Sequence, residues 1–166
     1  PILGRHAIDS GENCVKVIFD PGQGLAEFKQ DEIRELLALS HFVICNDHEW
    51  EIMQTNSGLS AAEIIATHEV IITRGASGVD LYSSIRPDHH VDALPTTNIL
   101  DPTGCGDAFR AGYIFGMLQH LSPSACAQFG CVMAKANIGC SETQRYEIDR
   151  ATLESQRQSQ YGPLPD

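Results

Sequence analysis

Three short apolar runs, rich in β-branched residues, recur along the first half of the chain. They cover residues 14–19, 42–45 and 69–73. Continuous runs of this kind are typical of parallel strands that are covered on both faces. Between the first two runs, residues 31–39 place apolar side chains at helical spacing, which predicts an amphipathic helix. The pattern therefore predicts strands that alternate with helices.

The second half of the chain begins with a different strand pattern and then becomes helical. Residues 79–82 alternate apolar and polar positions, which predicts an antiparallel strand, and residues 84–96 are expected to form an exposed loop or an edge strand. A short strand over residues 97–100 leads into a glycine-rich turn. The remaining predicted helices are 61–67 with Ser60 as its cap, 104 to about 120, 122–137 with Ser122 and Pro123 at its start, and a polar, mostly solvated helix at 147–160.

Strand–helix alternation of this kind predicts an α/β fold, with a mainly parallel sheet and helices on both faces. In such sheets, ligands bind in the crevice beyond the carboxyl ends of the strands. Asn46, Thr73 and residues 104–107 each lie just beyond a predicted strand. We therefore expect these segments to meet at one edge of the sheet and to form a single site.

The composition is that of an ordinary globular domain with an acidic surface. The 166 residues are 42% hydrophobic and 20% charged, which suffices for one domain with its own core. The net charge of −11 argues against nucleic acid or an anionic membrane as a partner. The six cysteines include no C-x-x-C pair, and no apolar run reaches the ~20 residues of a membrane span. We expect a cytoplasmic protein without a zinc site.

The glycine-rich segment L-D-P-T-G-C-G-D-A-F-R-A-G, residues 100–112, carries the clearest chemical signal. Glycines let the backbone turn sharply at the start of a helix, where free N–H groups bind anions and above all phosphate. Asp107 follows at once and could accept the proton of a hydroxyl group. Phosphoryl transfer to an alcohol needs this pairing of a base with an anion site. The alternative is a plain helix start that Thr103 or Asp107 caps.

Two further segments allow two interpretations each. Asn46 and Glu49 are three residues apart after a predicted strand, so they form either a capping box or a pair of ligands on one side of a helix start. The segment T-R-G-A-S-G at residues 73–78 is either a glycine turn between strands or a place where the backbone closely approaches a ligand. The pattern alone does not decide between these interpretations.

Together these motifs resemble a known family. D-P-T-G-C-G-D-A-F, residues 101–109, resembles the D-T-x-G-A-G-D-x-F signature of the ribokinase, or PfkB carbohydrate kinase, family, which includes the adenosine kinases. Pro102 replaces the usual threonine and Cys105 the usual alanine. The resemblance implies that Asp107 is the catalytic base and that the backbone amides of residues 104–106 form the anion hole. Those three residues are Gly104, Cys105 and Gly106.

The same resemblance assigns roles to the other segments. It implies that Asn46 and Glu49 organise Mg²⁺ and the ATP phosphates, Glu49 through water. The N-x-x-E and T-x-G-x-x-G patterns of the family match residues 46–49 and 73–78. Some members of the family also bind a monovalent cation such as K⁺, partly through a loop that matches residues 138–144. In this chain, Glu142–Gln144 depart from the glycine pattern of that loop. The residues carried over in this way are Thr73, Gly75, Gly78 and Cys131 for the nucleotide, and Asp101 and Thr103 for the monovalent cation.

Family members are about twice as long and carry these motifs in their carboxy-terminal half. The resemblance therefore implies that residues 1–166 are the nucleotide-binding half of a kinase domain, without the amino-terminal substrate half and its lid. The expected reaction transfers the γ-phosphoryl of ATP to a primary hydroxyl of adenosine, with ribose or another sugar second; a nucleotide-binding fragment without catalysis is the third hypothesis. The first choice also rests on F-D-P-G-Q-G-L at residues 19–25, which looks like bacterial adenosine-kinase-like members; no site role is assigned there. A homodimer partner or the missing half would complete the protein, and the isolated chain is expected to be inactive.

Overall fold

Five strands form one sheet in the order of the sequence. The computed structural model describes residues 15–96, 100–139 and 147–164. The first three strands are parallel, and the last two join the sheet antiparallel, at the side of the third strand. The α/β class is thus confirmed, and the sheet predicted to be mainly parallel is mixed, with two parallel and two antiparallel pairings among the described strands. The strands are β1 (Ile18–Phe19), β2 (Phe42–Asn46), β3 (Glu69–Thr73), β4 (Val79–Ser83) and β5 (Arg86–Val91).

Within the described residues, six α-helices are arranged on the two faces of this sheet. Two short 3₁₀ turns, Gln23–Glu27 and Gly75–Ser77, complete the regular structure of the described residues. None of the helices within the described ranges has both the length and the apolar character that crossing a membrane requires. The helices are α1 (Gln30–Ala38), α2 (Asp47–Ser57), α3 (Ala61–Ile65), α4 (Cys105–Leu118), α5 (Pro123–Ile138) and α6 (Arg150–Tyr161).

The strands bury side chains on both faces, as continuous apolar runs require. In β2, Val43 and Cys45 pack on one face against α1, α2 and α3, whereas Ile44 packs on the other face against α4 and α5. β3 repeats the alternation, with Val70 and Ile72 on the first side and Ile71 on the second. Successive strand residues point to opposite sides, so helices on both faces bury the three central side chains of β2 and of β3.

The structure differs from the sequence prediction at both ends of the chain. β1 has two residues rather than six, and Val15 before it is exposed. The terminal helix is mostly solvated, as predicted, but it begins at Arg150 rather than at residue 147, and it buries Leu153 and Arg157 against the layer of α5. β5 settles the open alternative for residues 84–96 in favour of an edge strand. The predicted strand at 97–100 lies mostly outside the described residues.

α4 and α5 pack more closely than any other pair of helices described. A Cβ placed on Gly112 would lie 2.4 Å from the carbonyl oxygen of Phe129, and one on Gly116 would lie 2.8 Å from the Cα of Cys126. Gly112 and Gly116 thus allow α4 to approach the neighbouring helix rather than the sheet, whereas Leu118 is exposed.

Substitution of Gly112 by alanine should therefore destabilise the fold. The added methyl would collide with backbone atoms, which cannot rotate away as a side chain can, and overpacking of this kind costs about 1–3 kcal/mol, occasionally more. Gly139→Ala at the end of the same helix pair is the matched control, since its Cβ would find only ordinary contacts at 3.7 Å or more. Thermal unfolding by circular dichroism measures both. Equal melting temperatures for the two variants would contradict the close-packing argument.

Candidate active site

The carboxyl ends of the three parallel strands share one edge of the sheet. Asp20 follows β1, Asn46 ends β2 and Thr73 ends β3. Asn46 and Thr73 are direct neighbours in the register of β2 and β3. The hydroxyl of Thr73 also donates to the Cys45 carbonyl at 3.4 Å, which ties the end of β3 to the end of β2. The structure therefore brings together two of the residues that the sequence assigned to the nucleotide.

Asn46 and Glu49 form the capping box that one interpretation predicted. The amide nitrogen of Glu49 donates to Asn46 Oδ1 at 2.7 Å, and the amide nitrogen of Asn46 donates to Glu49 Oε2 at 2.9 Å. Glu49 is only 7% exposed although it is a carboxylate. Both side chains are held at the start of α2, where the helix dipole favours negative charge.

The loop after β3 is a tight turn that depends on glycine. The amide of Arg74 donates to the Gly78 carbonyl at 2.8 Å, and the amide of Gly78 donates to the Gly75 carbonyl at 3.1 Å. Gly78 has φ of 96°, and a Cβ there would lie 2.2 Å from the Val91 carbonyl oxygen. Arg74 also pairs with Asp80 on β4. These contacts hold the loop closed beside the ends of β2 and β3.

The turn before α4 is ordered by its own side chains. The amide of Thr103 donates to Asp101 Oδ1 at 2.8 Å, and hydrogen bonds from Thr103 lower the pKa of Asp101. The amide of Leu100 donates to the Ile138 carbonyl at 3.0 Å, which joins the turn to the end of α5. The Asp101 carboxylate is therefore held against the backbone of Thr103. Most of the 138–144 loop that would complete a cation site lies outside the described residues, so that site stays a prediction.

The start of α4 is formed by the backbone rather than by a capping side chain. Gly104 is the residue before the helix, with φ of 80°, and no side chain caps this end. The predicted caps, Thr103 and Asp107, are thus wrong for this helix. The Cys105 amide donates to the Pro102 carbonyl at 3.2 Å, so an anion bound here would have to share that hydrogen or displace the carbonyl. The anion-hole role of the three amides stays a prediction.

An arginine that the sequence analysis left without a role links α4 to the edge of the sheet. Arg110 donates from Nη1 to Asp107 Oδ1 at 2.7 Å and from Nη2 to Asp20 Oδ1 at 2.6 Å, and its Nε lies 2.5 Å from Asp20 Oδ2. Burial raises the pKa of Asp20, the nearby Glu49 and Asp107 charges add to this, and Arg110 opposes it. The catalytic candidate Asp107 is thereby connected to the residues after β1 and β2.

Asn137 on α5 was also missed. Its Nδ2 donates to the Thr103 carbonyl at 2.8 Å and to Cys105 Sγ at 3.4 Å, which fastens the turn to α5. Its Oδ1 is buried with no hydrogen-bond partner among the described residues. No local signal could have found this residue, since it lies among the small residues of a packed helix and its partner is 34 positions away.

Cys131 stands apart from the other predicted site residues. It is buried in the core cluster of α4 and α5 and interacts with the hydroxyl of Tyr161 on α6. Burial raises the pKa of its thiol to about 11, so it is no thiolate at neutral pH. Its contact with a nucleotide stays a prediction. Among the described residues, no three His, Cys, Asp or Glu side chains cluster as a metal site would require.

The comparison with protein families decides the resemblance. The model of the pfkB family carbohydrate kinases matches residues 3–149. The chain belongs to the PfkB family. Two relatives of this PfkB chain are the nucleoside kinases of Thermoplasma acidophilum, 29% identical over 119 residues, and of Methanocaldococcus jannaschii, 26% identical over 125 residues. The aligned parts cover 72% and 75% of this chain but 39% and 40% of those proteins.

A solved structure confirms the ribokinase-like fold. The nucleoside kinase of Burkholderia thailandensis in complex with inosine matches with a TM-score of 0.86 at 30% identity. The match covers 91% of the PfkB chain and 51% of the Burkholderia chain. The chain thus spans about half the length of the Burkholderia kinase and about two fifths of the length of the two archaeal nucleoside kinases. A second structure of the Burkholderia enzyme is a complex with ADP-inosine.

Proposed function

We propose that the chain is the nucleotide-binding half of a kinase that transfers the γ-phosphoryl group of ATP to a primary hydroxyl of a nucleoside. One observation carries the proposal: Arg110 joins Asp107, at the glycine turn that opens α4, to Asp20 at the sheet edge that also holds Asn46 and Thr73. A proton acceptor, a helix start and strand-end polar groups therefore face one region. This is the combination that phosphoryl transfer to an alcohol requires.

The reaction needs little covalent chemistry from the protein. Asp107 accepts the proton of the acceptor hydroxyl, the hydroxyl oxygen bonds to the γ-phosphorus, and the bond from that phosphorus to the β–γ bridging oxygen breaks to leave ADP. The amides at residues 104–106 and the dipole of α4 stabilise the negative charge of the phosphoryl group in transfer. Thr73 and the closed loop that follows it position the nucleotide. Most of the rate therefore comes from positioning and charge stabilisation.

The donor set beside Asp107 fits magnesium. Asn46 and Glu49 offer oxygen atoms, which hard cations prefer, and the nearby Cys45 thiol is buried, with its pKa raised by that burial. Glu49 uses Oε2 for the cap, so its other oxygen remains to hold a hydrated ion. Mg²⁺ bound there would neutralise phosphate charge. The residues assigned to it are Asn46 and Glu49, with Asp20 as a newly found neighbour.

The acceptor is proposed to be a nucleoside, with adenosine and inosine as the first compounds to test. The named relatives are nucleoside kinases, and the Burkholderia neighbour binds inosine. A sugar acceptor is second, supported by a Lactococcus lactis ribokinase that is 24% identical over 129 residues. The choice of adenosine rather than another purine nucleoside rests on the motifs at residues 19–25 and 101–112.

A second half is part of the proposal. Ile114 and Leu118, one turn apart on the outer face of α4, are 40% and 70% exposed, and β1 is a short edge strand. Exposed apolar side chains, and an edge strand that pairs on one side only within the described residues, each favour a covering partner. We call this chain together with the amino-terminal half that its relatives carry the complete kinase.

The 166-residue chain alone should bind ATP weakly and phosphorylate nothing. The chain carries the segments proposed to bind phosphate, whereas the proposal assigns positioning of the acceptor to the second half, and positioning supplies up to roughly 7–11 kcal/mol of such catalysis. Calorimetric titration with ATP, followed by assays with adenosine, inosine and ribose, tests this. Turnover by the chain alone would show that the proposed second half is not needed. A folded chain that binds no ATP would contradict the nucleotide-binding assignment.

In the complete kinase, Asp107→Asn should lower kcat by about 10²–10⁴-fold, the usual contribution of a general base. ATP affinity should stay unchanged, because the amide keeps the shape and loses only the proton acceptor. Asp31→Asn on the exposed face of α1 is the control and should behave like the unaltered enzyme. Steady-state kinetics and ATP titration measure both effects. Loss of the base should leave about 1% of kcat or less. A variant that keeps more than a few per cent of kcat would therefore show that Asp107 is not the base.

The two interpretations of Asn46 can be separated by a pair of variants. Asn46→Ser keeps a good N-cap, whereas Asn46→Leu loses the cap at a cost of about 0.5–2 kcal/mol. If Asn46 serves the metal and phosphates, both variants should need more Mg²⁺ for half-maximal rate in the complete kinase, and only Asn46→Leu should melt at a lower temperature. Glu49→Gln should also raise the Mg²⁺ requirement.

Ser60→Ala is the matched control for these variants, because Ser60 caps α3 through the same kind of box with Glu63, away from the sheet edge. It should lower the melting temperature without changing the Mg²⁺ requirement. A normal Mg²⁺ requirement in Asn46→Ser would leave capping as the only role of Asn46.

A further inference from the structure

We propose that Arg110 is a positioning residue for the base: it holds the Asp107 carboxylate in the orientation that proton transfer needs, and Asp20 holds Arg110 in place. The inference rests on the proposed kinase function and deepens it. It assigns a role to two residues, Asp20 and Arg110, that lie 90 positions apart in the sequence and meet only in the fold.

Asp20 grips the guanidinium with both of its oxygens. Arg110 Nη2 donates to Asp20 Oδ1 at 2.6 Å, and Nε lies 2.5 Å from Asp20 Oδ2. A paired contact of this kind fixes the plane of the guanidinium as well as its position. Asp20 directly follows β1, so it fixes the position of the Arg110 guanidinium relative to the sheet as well as to α4.

The remaining arm of the guanidinium reaches Asp107. Arg110 Nη1 donates to Asp107 Oδ1 at 2.7 Å, across one turn of α4. The Asp107 side chain is 64% exposed, so without this bond its carboxylate would be free to sample other rotamers. Engaging Oδ1 leaves Oδ2 as the oxygen that can take the hydroxyl proton. The sheet therefore fixes Asp20, Asp20 holds Arg110, and Arg110 orients the Asp107 carboxylate.

Gly106 leaves the space that this arrangement needs. A Cβ at that position would lie 3.3 Å from Arg110 Nη1 and 3.7 Å from its Cζ. The first of these distances is shorter than most real Cβ contacts, so the guanidinium would have to shift slightly. The guanidinium therefore lies back over the first turn of α4, beside the amides of the proposed anion hole. The small residue that the glycine motif supplies serves the arginine as well as the turn.

The contacts favour positioning over direct binding of phosphate. Nε, Nη1 and Nη2 of Arg110 are all engaged with the two carboxylates. Two carboxylates and one guanidinium leave this trio with a net negative charge, which does not attract a phosphate. A positioning role predicts a loss of kcat, whereas a phosphate-binding role predicts a loss of ATP affinity.

Steady-state kinetics on the complete kinase test the inference. Arg110→Met should lower kcat by about 10²-fold, the cost of a reacting group displaced by about 1 Å, with KM for ATP and for the nucleoside unchanged. Asp20→Asn should lower kcat less, because the bond from Arg110 to Asp107 remains. Arg150→Met removes a comparable arginine–carboxylate pair on α6 and should leave kcat unchanged.

Coupling between the variants distinguishes positioning from a merely structural role. Asp20→Asn combined with Arg110→Met should be no slower than Arg110→Met alone, since Asp20 acts through the arginine. Arg110→Lys keeps the positive charge but lacks the planar set of N–H donors that contacts both carboxylates. It should therefore have a higher kcat than Arg110→Met and a lower one than the unaltered enzyme. If circular dichroism shows that Arg110→Met is unfolded, Arg110→Lys carries the test with the same expected split between kcat and KM.

Three results would overturn the inference: an unchanged kcat in Arg110→Met, a loss confined to KM for ATP, or additive losses in the double variant. Asp107→Asn in parallel separates this failure from failure of the proposed function. If Asp107→Asn is inactive and Arg110→Met is normal, only the positioning role is wrong. If Asp107→Asn is fully active, the proposed function and the inference fall together.

Discussion

The backbone contact between α4 and α5 determines where Asp107 can lie. At Gly112 and Gly116, α4 lies so close to α5 that an added Cβ would collide with Phe129 and Cys126. That contact fixes the body of the helix, and Asn137 fastens the turn before it by donating to Thr103. A helix held at its body and at its entry can present its first turn to the sheet edge with little freedom.

The proposed ATP site of this acidic chain requires a local arrangement of charges. The net charge is −11, and Asp20, Glu49 and Asp107 are close enough at the sheet edge for the charges of the last two to raise the pKa of the first. Arg110 offsets part of this charge, and the starts of α2 and α4 add partial positive charge. Phosphates at such an edge need a cation as well, which agrees with the oxygen donors gathered there.

Local pattern accounts for most of the elements and for part of the site. β2, β3 and β4 and the caps at Asn46 and Ser60 follow from signals within a few residues, and so do the glycine turns. The rest depends on pairs that are distant in sequence. Asp20 meets Arg110 across 90 positions, and Arg157 is buried on α6 because its guanidinium reaches Gln128 on α5. Sequence spacing carries no signal for such pairs, since the fold alone brings them together.

The two interpretations of the 46–49 segment turn out to be compatible in physical terms. The capping box uses Oδ1 of Asn46 and Oε2 of Glu49. A carboxylate has a second oxygen, and a carboxamide oxygen has a second lone pair, so each side chain keeps capacity for a ligand. The cap also holds both groups still, which lowers the entropy that a bound ion or phosphate would otherwise have to overcome. A stable helix start is therefore compatible with the role proposed for these residues at the sheet edge and is not an alternative to it.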